Sequence, residues 1–292
     1  MFKGIMSAIF SVYDKEMNVK TETVKKMVDY QLANGLTGFY VGGNTGECKV
    51  LPNRTRKQML EAVVKHNRQR GKVVVHVGAG RLEDVLDLVE HANQLEVDAI
   101  ASLPPAMQPY YSMEETLDYY RLLAQKSKHP IFAYVTSVIA GDMLEFVSEL
   151  TKIDQVIGIK ISFRDYYLFG AIKRKFADRL IVLNGPDETL ICALALGADG
   201  AIGSTYNILP KVGVTLYESF KKGDVETALR AQGQLNDVID LLIHENLAWW
   251  KAPLTLLGFD MGHTVAPQKM PNQEDLTFLK AKLDDINFKE LL

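Results

Sequence analysis

Residues 156–162 have the sequence Val-Ile-Gly-Ile-Lys-Ile-Ser, a short β-branched apolar run that ends in a lysine. Such a run predicts a buried parallel strand. An ammonium group at the end of a buried strand is costly unless it is paired or loses its proton, and an unprotonated lysine is a nucleophile for carbonyl carbon. The alternative is that the strand ends one residue earlier and that Lys160 reaches solvent.

The same unit, a short apolar run followed by an amphipathic segment, repeats along the chain. Strands are predicted at 5–10, 38–41, 73–77, 99–103, 131–134, 156–160, 180–183 and 200–202. Helices are predicted between them at 21–34, 54–70, 82–95, 112–126, 142–151, 166–176 and 188–196. Eight alternating repeats fit an α/β fold, the closed (β/α)8 TIM barrel, here over residues 1–205. An open doubly wound sheet is less favoured, because no Gly-x-Gly-x-x-Gly follows the first strand.

Beyond residue 205 the pattern is helical only, over 210–221, 225–244, 247–257 and 272–283. We therefore expect a C-terminal helical extension, residues 206–292, packed on the barrel as part of one structural unit. Two helix starts carry recognisable signals. Thr21 is predicted to cap the first helix, and Ser112 with Glu115 fits a capping box.

Composition indicates a soluble globular protein of 292 residues, 47% hydrophobic and 24% charged. The net charge is −3 and the charges are mixed, so nucleic acid is not an expected partner. Two cysteines, Cys48 and Cys192, are too few for a disulfide framework, which favours a reducing, cytoplasmic setting. No signal peptide and no run of about 18 apolar residues is found, so we expect no membrane association.

Chemistry in such barrels is expected at the carboxyl ends of the strands. The second predicted strand leads into residues 42–47, Gly-Gly-Asn-Thr-Gly-Glu, whose glycines can leave backbone N–H groups open to a small anion. The alternative is a tight turn before a helix. The fifth strand ends at Tyr134, which is either a core residue with a satisfied hydroxyl or a proton carrier at the barrel mouth.

The last three strands also end in polar residues. Ser162 lies two residues beyond Lys160 and so on the same side of an extended chain. Residues 184–188, Asn-Gly-Pro-Asp-Glu, supply two carboxylates for sugar hydroxyls, or simply a turn and a helix start. Residues 203–207, Gly-Ser-Thr-Tyr-Asn, offer hydroxyl groups that suit a polyol, or ordinary turn residues.

Other residues give little indication of a site. His76, His91 and His129 share no metal-ligand spacing, so no metal site is expected. Trp249 and Trp250 are interpreted as core or subunit packing rather than as part of a cofactor site.

Taken together, four strings resemble one family in order and spacing: residues 42–47, Tyr134, residues 158–160 and residues 197–204. The family is the class I pyruvate-dependent aldolases that include N-acetylneuraminate lyase and dihydrodipicolinate synthase. The resemblance covers essentially the whole chain. It implies a (β/α)8 barrel, a homotetramer, no metal or organic cofactor, and a lysine that forms a Schiff base with pyruvate.

The resemblance also implies residue roles. Lys160 would attack the keto carbon, and Tyr134 would relay protons. Asn44 and Thr45 would hold the pyruvyl carboxylate. The hydroxylated tail of the substrate would contact Ser162, Gly185, Asp187, Glu188 and Ser204.

Within the family, the residues after strands seven and eight are similar to the lyase pattern, which implies cleavage of N-acetylneuraminate to N-acetylmannosamine and pyruvate. The synthase arginine is replaced here by Ile139. The lyase commonly has serine where Asn44 stands and threonine where Ser162 stands. Tyr110 or Tyr111 would take the place of the family's tyrosine pair at a subunit interface. The alternatives are another 2-keto-3-deoxy sugar acid, the synthase reaction, or a pyruvate-binding barrel without catalysis.

Overall fold

Eight parallel strands close into a barrel in chain order, and the last strand pairs with the first. The computed structural model describes residues 2–104, 111–136 and 141–292. The strands are β1 (Gly4–Ala8), β2 (Gly38–Val41), β3 (Lys72–His76), β4 (Ala99–Ser102), β5 (Ile131–Val135), β6 (Val156–Ile161), β7 (Ile181–Asn184) and β8 (Gly200–Gly203). The predicted TIM barrel is confirmed.

A helix follows each strand, and three further helices follow the barrel. The first eight are α1 (Thr21–Ala33), α2 (Asn53–Asn67), α3 (Leu82–Ala92), α4 (Met113–Lys126), α5 (Met143–Leu150), α6 (Tyr166–Phe176), α7 (Leu190–Ala195) and α8 (Pro210–Lys221). The others are α9 (Val225–Leu242), α10 (Leu247–Leu256) and α11 (Gln273–Asp285). The predicted C-terminal helices are therefore present, whereas the division of the chain at residue 205 stays a prediction.

The largest error in the strand boundaries concerns β1, which ends at Ala8 rather than at Phe10. Ile9 and Phe10 are fully buried although they lie outside the strand, so an apolar run marks burial better than it marks the end of a ladder. The opposite error occurs in β6, which continues through Ile161 because that residue pairs with Asn184 on β7.

The two predicted helix starts have different outcomes. Thr21 does not cap α1, because Thr21 is already the first residue of the helix and Lys20 is the capping residue. The Lys20 carbonyl accepts the first helical N–H groups, those of Thr23 and Val24. The capping box of α4 is confirmed, with Ser112 Oγ accepting from the Glu115 N–H and the Glu115 carboxylate accepting from the Ser112 N–H.

Alternation along the strands determines which side chains enter the barrel. On β5, Phe132 belongs to the interior cluster, and Tyr134 follows two residues later. On β6, a Cβ atom at Gly158 would lie 2.4 Å from the Phe132 ring, so the glycine makes room for that ring. Lys160, two residues after Gly158, therefore projects into the mouth of the barrel beside Tyr134.

The C-terminal helices pack against the barrel rather than apart from it. α8 packs on β1 and α9, α9 packs on α7, and α10 packs on α11. Within the described residues, no helix is both long enough and apolar enough to cross a membrane.

Candidate functional site

Lys160 lies in β6 with Tyr134 and Leu183 as its neighbours on β5 and β7. Its exposed fraction is only 6%, so the alternative of a solvent-facing lysine is wrong. The Nζ atom lies 4.1 Å from the centre of the Tyr134 ring and 5.2 Å from that of Tyr40. In the part of the chain that the structure describes, Lys160 forms no ion pair. The amine is thus buried between aromatic faces without a carboxylate to hold it.

Tyr134 is hydrogen-bonded to the residue that follows β6. Ser162 Oγ donates to Tyr134 Oη over 3.1 Å. Burial raises the pKa of Tyr134, but the Lys160 charge and the Ser162 hydrogen bond together outweigh burial, and the pKa lies below its ordinary value. A phenol whose pKa is lowered gives up its proton more readily near neutral pH, which suits a proton carrier.

Tyr40 is the second aromatic residue beside Lys160, and the sequence analysis did not predict it as part of the site. Its ring is fully buried, 6.5 Å from the Tyr134 ring and 6.0 Å from that of His76. A Cβ atom at Gly43 would lie 2.4 Å from the Tyr40 ring, so the second glycine of the loop is required by this packing. The available signal was the alternation along β2, which turns Tyr40 inward as it does Tyr134 on β5.

The glycine loop, residues 42–47, makes a tight turn. Gly42 has φ +70°, and a Cβ atom at Gly46 would lie 2.9 Å from the Gly42 Cα. The loop closes on itself, with the Glu47 N–H donating to the Asn44 carbonyl over 3.0 Å. Within the described residues, the N–H groups of Asn44, Thr45 and Gly46 donate to no protein acceptor. Three successive free donors are what a carboxylate needs.

Two strand ends meet at Thr45. Its hydroxyl is hydrogen-bonded to that of Ser204 over 2.6 Å, which joins the glycine loop to the residues after β8. Asn44 is exposed, and its amide oxygen accepts from the Cys48 thiol at 3.5 Å. Lys160 is near enough to lower the pKa of the buried Cys48, although burial, the larger effect, raises it. The Thr45–Ser204 hydrogen bond thus joins the ends of β2 and β8 at the rim of the barrel.

Asp187 is buried to a degree that the sequence did not predict, with an exposed fraction of 6%. Its Oδ2 accepts from the Thr205 N–H over 2.8 Å, and its Oδ1 has no partner among the described residues. Burial raises the pKa of Asp187 to about 6, against the opposing Thr205 hydrogen bond. The carboxylate rests on Gly203, where an added Cβ atom would lie 1.5 Å from Oδ1. Oδ1 is thus a buried acceptor without a partner among the described residues.

Glu188 and Gly185 have different surroundings. Glu188 is partly exposed, and its Oε1 accepts from Arg164 Nε over 2.8 Å, an ion pair in which Arg164 is 66% exposed. Gly185 lies against Ser162, whose Oγ would be 2.1 Å from an added Cβ atom. The predicted tail-binding residues therefore lie in adjacent loops, but their contacts with substrate stay predictions.

Among the hydroxyl groups after β8, only Ser204 is accessible. Thr205 and Tyr206 are fully buried, and Asn207 donates to the Ala8 carbonyl over 2.7 Å and accepts from the Phe10 N–H over 3.2 Å. These three residues therefore build the wall of the barrel rather than face a polyol.

The tyrosines proposed for a subunit interface have no tested role. Tyr110 lies outside the described residues, as does Ile139. Tyr111 is half-buried and lies close enough to Tyr119 to raise its pKa slightly, although burial dominates that shift.

Two further charged groups near the site were not found from the sequence. Arg56 of α2 is 4% exposed and donates to the carbonyls of His76 and Gly78 over 2.7 and 2.9 Å. It therefore fixes the end of β3 and the turn that follows it. Glu47, the last residue of the glycine loop, forms an ion pair with Lys251 of α10 at 2.6 Å. Neither interaction could be recognised from the neighbouring sequence, because the partners are far apart along the chain.

A cavity of about 420 Å³ opens beside the glycine loop and extends to the C-terminal helices. From the barrel it is lined by Asn44, Thr45 and Ser204, and from the C-terminal extension by Glu245 and Trp250 among others. Trp250 is half-buried and lies on this cavity rather than only in the core. The cavity therefore has one wall from the barrel and one from the extension.

Within residues 2–104, 111–136 and 141–292, no group of three or more His, Cys, Asp or Glu side chains is arranged to hold a metal ion. The rings nearest to Lys160 Nζ are those of the phenols Tyr134 and Tyr40.

A model of the dihydrodipicolinate synthetase family matches residues 1–285 of the chain. The chain belongs to this family. The N-acetylneuraminate lyase of Clostridium perfringens is 31% identical to it over 293 residues, which cover 98% of this chain and 99% of that protein. The resemblance stated above is thereby confirmed, and so is the prediction that the chain is a carbon–carbon lyase acting on a small molecule.

Solved structures agree with this membership. The sialic acid aldolase of Ruminococcus gnavus matches with a TM-score of 0.92 and 30% identity, covering 100% of this chain and 99% of that one. A second structure of that aldolase, described as its catalytic lysine mutant, matches with the same TM-score and identity, covering 100% of this chain and 98% of that one. Both the whole barrel and the C-terminal helices are therefore shared with these family members.

Proposed function

We propose that this chain is a Schiff-base aldolase that cleaves N-acetylneuraminate into N-acetylmannosamine and pyruvate. The observation that carries the proposal is the position of Lys160, which is buried at the mouth of the barrel, forms no ion pair within the described residues, and lies 4.1 Å from the centre of the Tyr134 ring. Similarity to the lyase of Clostridium perfringens and to the aldolase of Ruminococcus gnavus supports the choice of substrate.

The proposed reaction begins at the keto carbon of the open-chain sugar acid. Lys160 Nζ adds to this carbon and water leaves, which forms an imine. Tyr134 takes the proton of the C4 hydroxyl and the C3–C4 bond breaks. The electron pair of that bond moves toward the imine, which becomes an enamine. N-Acetylmannosamine leaves as the aldehyde. The enamine is protonated at C3, and water then releases pyruvate from Lys160.

The other groups have proposed binding roles. The free N–H groups of the glycine loop, with Asn44 and Thr45, hold the pyruvyl carboxylate, because consecutive N–H donors form an anion site. Asp187, Glu188, Ser204 and Ser162 form the proposed contacts with hydroxyls of the tail, and the buried Oδ1 of Asp187 is an acceptor without a partner among the described residues. Gly185 leaves room for the tail beside Ser162.

The assembly and setting of the enzyme are part of the proposal. We propose a cytoplasmic homotetramer in which barrel and extension form one unit. Large apolar side chains exposed on the described surface support association, among them Tyr167 at 83% exposed and Phe278 at 59%. Sedimentation of the purified protein tests the tetramer.

The decisive experiment is reductive trapping. The protein is incubated with pyruvate and borohydride, and the modified residue is located by mass spectrometry of peptides. A pyruvyl adduct on Lys160 is expected, and an adduct elsewhere or none would contradict the proposal.

A substrate panel then separates the remaining alternatives. N-Acetylneuraminate is compared with 2-keto-3-deoxygluconate in the cleavage direction, and pyruvate with aspartate semialdehyde in the synthase direction. Fastest turnover of N-acetylneuraminate is expected. An adduct without turnover of any of these compounds would instead indicate a pyruvate-binding protein.

A further inference from the structure

The glycine loop is held from behind by a buried cluster that the proposed reaction does not use. Lys251 Nζ donates to Glu47 Oε1 over 2.6 Å, and Tyr13 Oη donates to Glu47 Oε2 over 2.5 Å. Lys251 also donates to the His263 carbonyl over 3.3 Å and lies 4.9 Å from the centre of the Tyr13 ring. Among the ion pairs of the described residues, this one alone has both side chains fully buried, with exposed fractions of 0% for Lys251 and 1% for Glu47.

Stability alone explains such a pair poorly. Removing two charges from water costs several kcal/mol for each ion, and apolar residues of similar volume often stabilise a fold as well or better. Glu47 also has φ +62°, a left-handed conformation that costs a residue other than glycine about 1 kcal/mol. A glycine would avoid the backbone cost, and an apolar pair at positions 47 and 251 would avoid the cost of burying two charges, so the feature to be explained is the carboxylate at this place.

Three segments of the chain meet at this carboxylate. Tyr13 belongs to the segment after β1, Glu47 to the glycine loop after β2, and Lys251 to α10 in the C-terminal extension. The segment around residue 263 wraps tightly over Tyr13: the His263 N–H donates to the Tyr13 carbonyl over 2.9 Å, and a Cβ atom at Gly262 would lie 2.2 Å from that carbonyl oxygen. Tyr13 and Lys251 are therefore themselves fixed in place.

The fixed carboxylate determines how the loop presents its donors. The Glu47 N–H closes the loop on the Asn44 carbonyl, the Cys48 N–H bonds to the Gly43 carbonyl over 3.1 Å, and Ser11 Oγ holds the Gly46 carbonyl over 2.9 Å. The N–H groups of residues 44–46 lie between these anchors. Since the Glu47 side chain is bonded at both oxygens, rotation of the loop end would break two buried hydrogen bonds.

We infer that Glu47, Lys251 and Tyr13 are positioning residues through which the C-terminal extension sets the affinity of the glycine loop for the pyruvyl carboxylate. The inference rests on the proposed function, because the loop must first be the carboxylate site. It assigns to the extension a part in binding that is separate from any contact with the sugar tail.

The test compares trapping at Lys160 in variants of the cluster. Adduct formation with borohydride is measured against pyruvate concentration for the wild type and for Lys251→Met, Glu47→Gln and Tyr13→Phe. Misplacement of binding groups by an ångström costs up to about a hundredfold, so the half-saturating pyruvate concentration should rise about tenfold or more in the first two variants. Tyr13→Phe removes the hydrogen bond to Glu47 and should raise the half-saturating pyruvate concentration about threefold.

Two quantities separate positioning from simple destabilisation. A loosened loop raises the half-saturating concentration but leaves the maximal adduct and the kcat at saturating substrate near those of the wild type. A partly unfolded enzyme lowers the maximal adduct without changing the half-saturating concentration. Lys280→Met, which removes an exposed ion pair with Asp284 on α11, is the matched control and should change neither.

The outcomes also distinguish this inference from the proposed function. No adduct on Lys160 in the wild type would contradict the proposed function itself. A normal wild-type adduct, with wild-type half-saturation in Glu47→Gln and Tyr13→Phe, would overturn the inference alone. These two near-isosteric changes decide the matter even where Lys251→Met fails to fold.

Discussion

Lys160 and Lys251 are both buried lysines, yet their surroundings differ in the one respect that governs reactivity. Lys251 is paired with Glu47 and donates to a backbone carbonyl, and burial lowers its pKa against the opposing effect of Glu47. Lys160 lies between two aromatic rings and, within the described residues, has no carboxylate partner. Burial alone therefore does not make a nucleophile: the amine must also be left free to attack.

The comparison predicts the largest effect at Lys160. Lys160→Ala removes the nucleophile, and turnover should fall on the order of 10⁵-fold or more because no other step can replace the imine. The measurement is the cleavage rate with coupled detection of pyruvate. Turnover within tenfold of the wild type would mean that Lys160 is not the nucleophile.

The next effect is expected at the phenol beside Lys160. Tyr134→Phe keeps the ring but removes the proton carrier, so kcat should fall by about 10²- to 10⁴-fold while the pyruvate adduct on Lys160 still forms. The matched variant is Tyr13→Phe, which removes the hydroxyl beside the other lysine and should leave kcat at saturation unchanged. Equal losses of kcat in the two variants would break the distinction between the two sites.

Removing the charge of Lys251 should lower stability, in addition to weakening pyruvate binding, and should leave kcat at saturating substrate near that of the wild type. Lys251→Met leaves Glu47 buried and unpaired, and the free energy of unfolding should fall by about 3–5 kcal/mol. The double variant Glu47→Gln with Lys251→Met should lose less, because no buried charge remains. Urea unfolding measures both, and Lys57→Met, in a partly exposed pair with Asp87, should cost at most about 1 kcal/mol.

The smallest effect concerns Asp187, a buried carboxylate that, unlike Glu47, forms no ion pair with any described residue. Its pKa is raised from 3.8 to about 6 in the folded protein, so the folded state binds the proton more tightly than the unfolded state does. Stability should therefore fall as the pH rises from about 4 to about 6. Asp187→Asn should lack this fall and be more stable than the wild type at pH 7, by on the order of 1–3 kcal/mol.

Unfolding measured from pH 4 to pH 7 checks the sign of this effect. Asp178→Asn, a change at an exposed aspartate of the same barrel, should follow the wild-type curve throughout. A wild-type stability that rises over this range relative to Asp187→Asn would show that the carboxylate is stabilised in its charged form.

The sequence predicted what depends on local pattern. The β-branched run at 156–161 placed Lys160 on a strand, and the order of polar strand ends placed Tyr134, Thr45 and Asp187 around one opening, because parallel strands end at the same rim. It missed Tyr40, since an inward tyrosine on β2 resembles any core aromatic residue until its neighbour across the barrel is known.

The Glu47–Lys251 pair was beyond the reach of pattern. The two residues are 204 positions apart, and each taken alone resembles a solvent-facing charge, Glu47 after a glycine turn and Lys251 after two tryptophans. Only the packing of α10 against the barrel shows that both are buried. The burial of Asp187 was missed for the same reason, because it depends on Gly203, the last residue of the neighbouring strand β8.

The contact between Gly203 and Asp187 has a practical consequence for anyone who wishes to redirect this enzyme toward other aldehydes. Any side chain at residue 203 would displace the carboxylate, since even a Cβ atom would lie 1.5 Å from Oδ1. Residue 203 should therefore be kept as glycine in a library of variants. Ser204, which is half-buried and lines the open cavity, is the better place to diversify.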